Sequence, residues 1–169
     1  MVTNIADRYR RWFEYEMDAH SKVLESLEAA NAQGPSPSFQ KAYDLFAHVV
    51  AARRLWLYRF GMLEEGPRDL FPKDVPLETL RPITEETQAL WSAYFSRVDD
   101  VELARVFEYV SLDAGAFRNS VEDILTQLFG HSWYHRGQIA LLLRSGGGEP
   151  AATDFVFWCR EPIQGQAVR

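Results

Sequence analysis

Apolar residues recur every three or four positions along much of this chain, a spacing typical of one face of an α-helix. The first such stretch runs from about Ile5 to Ala30 and carries one stripe along its length, formed by Phe13, Met17, His20, Leu24 and Leu27. Similar stripes follow around His48 and around His131. Because an apolar face must be buried against another element, the periodicity predicts long helices packed against one another.

Capping residues and helix breakers divide the chain into four predicted helices. The first follows Asn4 and is ended by the run NAQGPSPS. Ser36 has the character of an N-cap, with a proline at the next position, and opens a second helix over about 37–60. A third helix is expected to follow Thr84 and end near Val98, and a fourth to extend from the cap Ser120 to about Arg144, where three glycines stop it.

The connections between these helices differ in character. Four prolines lie between Pro67 and Pro82, which predicts an ordered crossover connection between the second and third helices. The run RVFEYVSLDAGAFRNS is rich in β-branched and aromatic residues around Asp113-Ala114-Gly115, which predicts a two-stranded hairpin. We therefore expect an all-α fold over residues 1–169: a single domain, built as a four-helix bundle with a crossover connection and a short β-hairpin between helices 3 and 4.

Composition and charge exclude several classes of protein. The net charge of −6 argues against nucleic acid as a partner, since a polyanion requires a basic surface. No apolar run approaches the 18 or so residues of a membrane span, and the first residues lack the apolar core of a signal peptide. The single cysteine, Cys159, cannot form an internal disulfide, which favours a cytoplasmic location.

Three histidines form a candidate metal site. His131 and His135 are four residues apart and so point the same way from one helix, and His48 lies on the apolar face of an earlier helix. A buried imidazole must find a partner, and three of them converging in a helical bundle favour a divalent metal with coordination positions left open. Three neutral ligands leave the charge of such an ion uncompensated, so that it would strongly acidify a bound thiol or water.

The roles of the remaining polar residues stay open. His20, on the apolar stripe of helix 1, could be a fourth ligand, a general base or a core residue. Asp18 is a candidate base on the same helix, whereas Asp44 is expected to be a solvated charge on a helix face. Arg136 pairs with an acid at a helix contact or subunit interface, or anchors an anionic substrate; Gly137 is expected to admit a close approach by another helix or by the tail.

Over nearly its whole length the chain resembles the DinB/YfiT-like family of metal-dependent enzymes. The resemblance rests on RRWFEYEMDAHSKVLESLEA, on FAHVVAARRLWLYRFG and on HSWYHRGQIALLLRSGG, which contains the family's His-x3-His-Arg-Gly-Gln pattern. It implies a four-helix bundle with a crossover connection, a metal triad formed by His48, His131 and His135, and a homodimer. It also implies that the ion is zinc or nickel.

Two segments depart from the family pattern. Family members often carry Tyr-Asn-x-Trp-Ala-Asn in helix 1, where this chain has Tyr15-Glu16-Met17-Asp18-Ala19-His20. The position five residues after the helix-2 ligand is often glutamate, and here it is Arg53. These departures leave the triad intact and alter the wall of the pocket, so the substrate does not follow from the resemblance.

Two classes of function remain. The first is a metal-dependent enzyme acting on a small-molecule substrate. It activates either a low-molecular-weight thiol co-substrate, as an S-transferase does, or water, as a hydrolase does. The residues between His131 and His135 include no glutamate, so this is not the His-Glu-x-x-His arrangement of metalloproteases. The alternative is a non-catalytic, metal-stabilised bundle that binds a ligand or serves a stress response.

Overall fold

The structure, a computed structural model, describes residues 4–112 and 114–163 and is mostly helical. In chain order its elements are α1 (Ile5–Asn31), α2 (Pro37–Arg59), α3 (Leu77–Phe95), α4 (Asp100–Ala104), β1 (Val106–Ser111), β2 (Gly115–Ser120), α5 (Val121–Ser145) and α6 (Phe155–Cys159). None of the helices in the described part of the chain combines the length and the hydropathy needed to cross a membrane.

The predicted starts of three helices are confirmed by their caps. Asn4 accepts a hydrogen bond from the backbone N–H of the third residue of α1, at 2.7 Å. Ser36 caps α2 ahead of a proline, as predicted. Ser120 and Asp123 form a reciprocal capping box at the start of α5, in which the side chain of each accepts from the backbone of the other.

The hairpin between α4 and α5 is also confirmed. β1 and β2 pair antiparallel, with Val106 opposite Ser120 and Ser111 opposite Gly115. The predicted turn includes Asp113, which lies outside the described residues. The short helices α4 and α6 were not predicted, because five residues are too few to show a helical periodicity.

The predicted start of the third helix is wrong. α3 begins at Leu77, seven residues before Thr84, and it contains Pro82. A proline in the second turn removes only one backbone hydrogen bond, and packing of the helix can outweigh that loss. Thr84 is buried inside α3, and its hydroxyl donates to the carbonyl of Leu80 at 2.6 Å instead of capping an end.

The long helices bury two apolar clusters separated by a polar layer. α2 packs against α5 and α3, and α1 contacts α2, α3 and α5. Along α1, α2 and α5, the first cluster includes Phe13, Leu57 and Phe129, and the second includes Val23, Val50 and Ile139. Between the clusters, the same three helices bury a set of polar side chains: Glu16, His20, Arg53, Ser132 and Arg136. This layer lies beside the histidines of α5.

Candidate metal centre

The structure brings the three predicted histidines together. Nε2 of His131 lies 3.0 Å from Nε2 of His48 and 3.1 Å from Nε2 of His135. One nitrogen from each ring falls within 4.8 Å of the other two. α2 supplies the first imidazole and α5 the other two, because residues four apart on α5 share one face. The three rings therefore present a compact set of nitrogen donors.

Hydrogen bonds at the far side of two rings fix the direction of their lone pairs. Nδ1 of His48 donates to the carbonyl oxygen of Leu70 at 2.5 Å, and Nδ1 of His135 donates to Oε1 of Gln138 at 2.7 Å. With Nδ1 protonated, a neutral imidazole carries its lone pair on Nε2. Together with Nε2 of His131, these two atoms form a set of three nitrogens close enough to share one cation. The donor set fits a divalent transition metal, for which neutral imidazole is a common ligand.

Burial keeps the imidazoles of His131 and His135 neutral. Desolvation lowers the pKa of His131 to about 4, and the charges that His135, His48 and Arg53 carry when protonated act in the same direction. Burial also lowers the pKa of His135, although its hydrogen bond to Gln138 partly opposes the shift. At neutral pH both rings are therefore uncharged, the form in which an imidazole binds a metal.

The connection between α2 and α3 supports His48 from outside. The ring of Phe71 stacks on the imidazole, with centroids 4.5 Å apart and planes inclined by 13°, while the neighbouring Leu70 accepts its Nδ1–H. Asp44 is buried and accepts from the backbone N–H of Val75 at 3.0 Å, which fastens the end of the connection to α2. Asp44 is thus a structural anchor and not the solvated charge expected from the sequence.

A cavity of about 290 Å³ lies between α2, α3 and this connection. Its α2 wall includes the small residues Ala47 and Ala51, which flank His48 in the sequence. Most of the other wall residues are apolar, among them Pro72, Leu80 and Ile83. The cavity offers space for an apolar group beside the helix that carries the first histidine.

Each of the two predicted catalytic residues has a charged neighbour on α1. His20 is 1 % exposed, with Nε2 3.4 Å from Oε2 of Glu16 and its ring edge-on to Phe46. Burial, with Arg53 and Arg136 adding to it, places the pKa of His20 well below its ordinary value. Asp18 pairs with Lys22 at 2.7 Å and keeps about a third of its side chain exposed. Neither residue joins the group of nitrogen donors.

A buried ion network lies next to the triad, and the sequence did not predict it. Glu16 is fully buried; its Oε1 accepts from Arg136 at 2.5 Å and from Trp133 at 2.8 Å, and its Oε2 accepts from Arg53 at 3.3 Å. Glu16 and Arg53, which both depart from the family pattern, therefore meet in one cluster. Arg136 pairs with an acid at a helix contact, one of the roles predicted for it, and also donates to the hydroxyl of Tyr15.

Known proteins resemble this chain in sequence pattern and in fold. Residues 1–164 match the family model described as the DinB family. A crystal structure of a DinB-like protein from Bacillus cereus ATCC 10987 is similar to this chain at 21% sequence identity, with a TM-score of 0.67. The similarity covers 90% of this chain and 99% of that one, and it supports the fold. A search of curated proteins gives no significant match.

Proposed function

This chain belongs to the DinB family, and on that premise we propose that it is a metal-dependent enzyme in which His48, His131 and His135 hold one divalent ion. The observation that carries the proposal is the convergence of the three Nε2 atoms, with Nδ1 of two rings already donating elsewhere. Zinc or nickel suits three imidazole donors. When bound, such an ion lowers the pKa of a thiol or water at an open coordination position.

The residues around the triad favour a thiol over water as the activated group. A thiol ionises with a pKa of about 8.5, far below that of water, and so depends less on a separate base. Burial lowers the pKa of His20, which makes it a weak base, and the carboxylate of Asp18 is paired with Lys22. We therefore favour S-transfer from a low-molecular-weight thiol to a small electrophile, with hydrolysis as the second reaction type.

The chain's own residues would orient the reactants. Leu70 and Phe71 hold the imidazole of His48 in place from the side of the connection. The cavity beside α2 has a mostly apolar wall that also includes Arg54 and Arg68, and it would take an apolar portion of a small substrate. We further propose that the four long helices act as one four-helix bundle with a crossover connection, that the chain is a single domain, and that it works in the cytoplasm as a homodimer.

The test is the metal content of the purified protein and of its histidine variants. The triple variant His48→Ala/His131→Ala/His135→Ala should lose the ion, while His20→Ala, which removes a buried imidazole outside the triad, should retain it. Full occupancy in the triple variant would refute the site. A closed four-ligand shell in the wild type, or loss of the ion from His20→Ala to the same degree, would favour the non-catalytic alternative.

The reaction type needs a second measurement. The Co²⁺- or Ni²⁺-loaded protein should develop a sulfur-to-metal charge-transfer band when a small thiol is added, and the thiol should then be consumed with an electrophile. Turnover of ester or amide substrates without any thiol-dependent band would support the hydrolase version instead. The triple variant is the control in both assays.

A further inference from the structure

A single carboxylate on α1 joins the two helices that carry the histidines. Glu16 is fully buried and accepts hydrogen bonds from Arg53 on α2 and from Arg136 and Trp133 on α5. α1 itself contributes no member of the triad. α2 and α5 also pack directly against each other, and in this layer Glu16 links them by hydrogen bonds.

The ion network around Glu16 lies where its bonds can fix the relative positions of three helices. It lies in the polar layer between the two apolar clusters, where Arg53 is 3 % exposed and Arg136 is 6 % exposed. Apolar side chains pack without directional bonds, whereas charge-assisted hydrogen bonds from guanidinium groups to a carboxylate fix distance and angle. Among the described residues of this layer, the bonds to Glu16 are thus the directional link that spans α1, α2 and α5.

The three residues that donate to Glu16 all lie close in sequence to a histidine of the triad. Arg136 directly follows His135, and Trp133 lies between the two histidines of α5. Arg53 lies five residues after His48, about 7.5 Å along the axis of α2. A shift of either helix relative to Glu16 would therefore move the imidazoles on that helix by a similar distance.

We propose that Glu16 is the positioning residue of the histidine triad: by accepting from Arg53 and Arg136, it holds α2 and α5 at the separation that brings the Nε2 atoms of the three histidines together. The inference rests on the proposed function for the identity of the ligand that the imidazoles receive. The arrangement of the imidazoles in the metal-free protein is independent of that ligand.

Removal of the carboxylate charge should separate the two helices. Without Glu16 the guanidinium groups of Arg53 and Arg136 would be two buried like charges sharing one site, which is costly and repulsive. Glu16→Gln keeps the volume and one acceptor oxygen, removes the charge and replaces the second acceptor oxygen with an NH2 donor. Glu14→Gln is the matched control, because Glu14 is an exposed carboxylate on the same helix.

The first measurement is the affinity for Co²⁺, by competition with a chromophoric chelator, together with the ligand-field spectrum of the bound ion. We expect Glu16→Gln to weaken binding by about tenfold or more, the range seen when groups that orient metal ligands are removed, and to change the intensity of the visible bands. Glu14→Gln should match the wild type in both. The charge-swapped variant Glu16→Arg/Arg53→Glu restores a carboxylate between two guanidinium groups and should recover much of the loss.

The second measurement uses the metal-free protein. In ¹⁵N-histidine spectra of the wild type, His48 and His135 should each show one tautomer, protonated on Nδ1, whereas Glu16→Gln should show averaging between tautomers. Wild-type affinity, bands and tautomers in a folded Glu16→Gln variant would overturn the inference. If that variant does not fold, a folded charge-swapped variant that fails to recover the tautomers overturns it. If the wild type binds no ion, the proposed function fails while the ¹⁵N comparison still decides this inference.

Discussion

At the triad, the hydrogen-bond partners of two Nδ1 atoms decide what the opposite nitrogens can do. Leu70 and Gln138 accept hydrogen bonds from the Nδ1–H groups of His48 and His135, which leaves the lone pairs on Nε2 free to bind a cation. One of these partners comes from an irregular connection and the other from the next turn of α5. Metal binding at this site therefore depends on residues that are not themselves ligands.

Phe71 offers a direct test of this dependence. Its ring is 63 % exposed and yet stacks on the imidazole of His48. Phe71→Ala removes an aromatic contact of about 0.5–1.5 kcal/mol, so metal affinity should fall by about twofold to tenfold. Phe157→Ala, at an exposed aromatic residue on α6, is the control. Equal affinity in the wild type and in Phe71→Ala would show that the stacking does not orient His48.

The lowered histidine pKa values predict how metal-free stability responds to acid. Folding lowers the pKa of His131 to about 4 and that of His20 well below 6.5, so the unfolded chain binds these protons more readily than the folded one. The free energy of unfolding should therefore be at its full value above about pH 6.5 and fall as the pH decreases from there towards about 4. Urea unfolding in the presence of a chelator, at several pH values between about 7.5 and 5, measures this. A free energy that rises towards pH 5 would contradict it.

The candidate site could be predicted from the sequence only in part. His131 and His135 stand out because four-residue spacing puts both on one helix face, and His48 because it interrupts an apolar stripe. Glu16 and Arg53 gave no comparable signal, since charged residues usually face solvent and their burial depends on a partner from another helix. Their departure from the family pattern was the one available sign.

At the scale of elements, the two ends of α5 show how local sequence sets the position of the site. The capping box fixes where α5 starts, and Gly146 ends it, with its backbone against the ring of Phe39 at the start of α2. The start of α3 was mispredicted because a proline and a threonine that resemble end signals lie inside it. Local signals identify helix ends well only where tertiary packing does not override them.

Two glycine substitutions, one inside α5 and one at its end, test the effects of helix propensity and of close packing on stability separately. A Cβ at Gly146 would lie 2.4 Å from a ring carbon of Phe39, whereas a Cβ at Gly137 meets no described atom within 4 Å. Gly146→Ala should therefore destabilise the protein, by about 1–3 kcal/mol for an overpacked contact. Gly137→Ala should stabilise an isolated chain by up to about 1 kcal/mol, since alanine is the better helix former.

Chemical denaturation of both variants beside the wild type measures these differences. Gly137 was expected to admit a close approach by another helix or the tail, and nothing in the described part of the chain makes one. A destabilising Gly137→Ala, with a change in oligomeric state, would therefore place a second subunit against this face. A neutral Gly146→Ala would show that Phe39 can move aside.

For the whole molecule, the sequence predicted a mostly helical chain with a hairpin because long periodic stretches and strong turn signals are local properties. It could not predict that α1, α2 and α5 place their polar residues in one layer, because that depends on the register of three helices in space. The apolar clusters on both sides of this layer bury side chains independently of any ion. The fold should therefore persist without metal, unlike that of a zinc finger.

The thermal stability of the whole molecule should nevertheless respond to metal through the triad. An ion that binds only the folded state adds RT ln(1 + [L]/Kd) to stability, about 4.1 kcal/mol when its free concentration is 1,000 times Kd. For a chain of this size, about 2–4 °C per kcal/mol then gives a rise in Tm of about 8–16 °C over the chelated protein. Calorimetry with and without chelator measures the shift, and the triple alanine variant should show none. An equal shift in that variant would place the ion elsewhere. If the chelated wild type showed no cooperative transition, the apolar clusters would not be sufficient to stabilise the fold without metal.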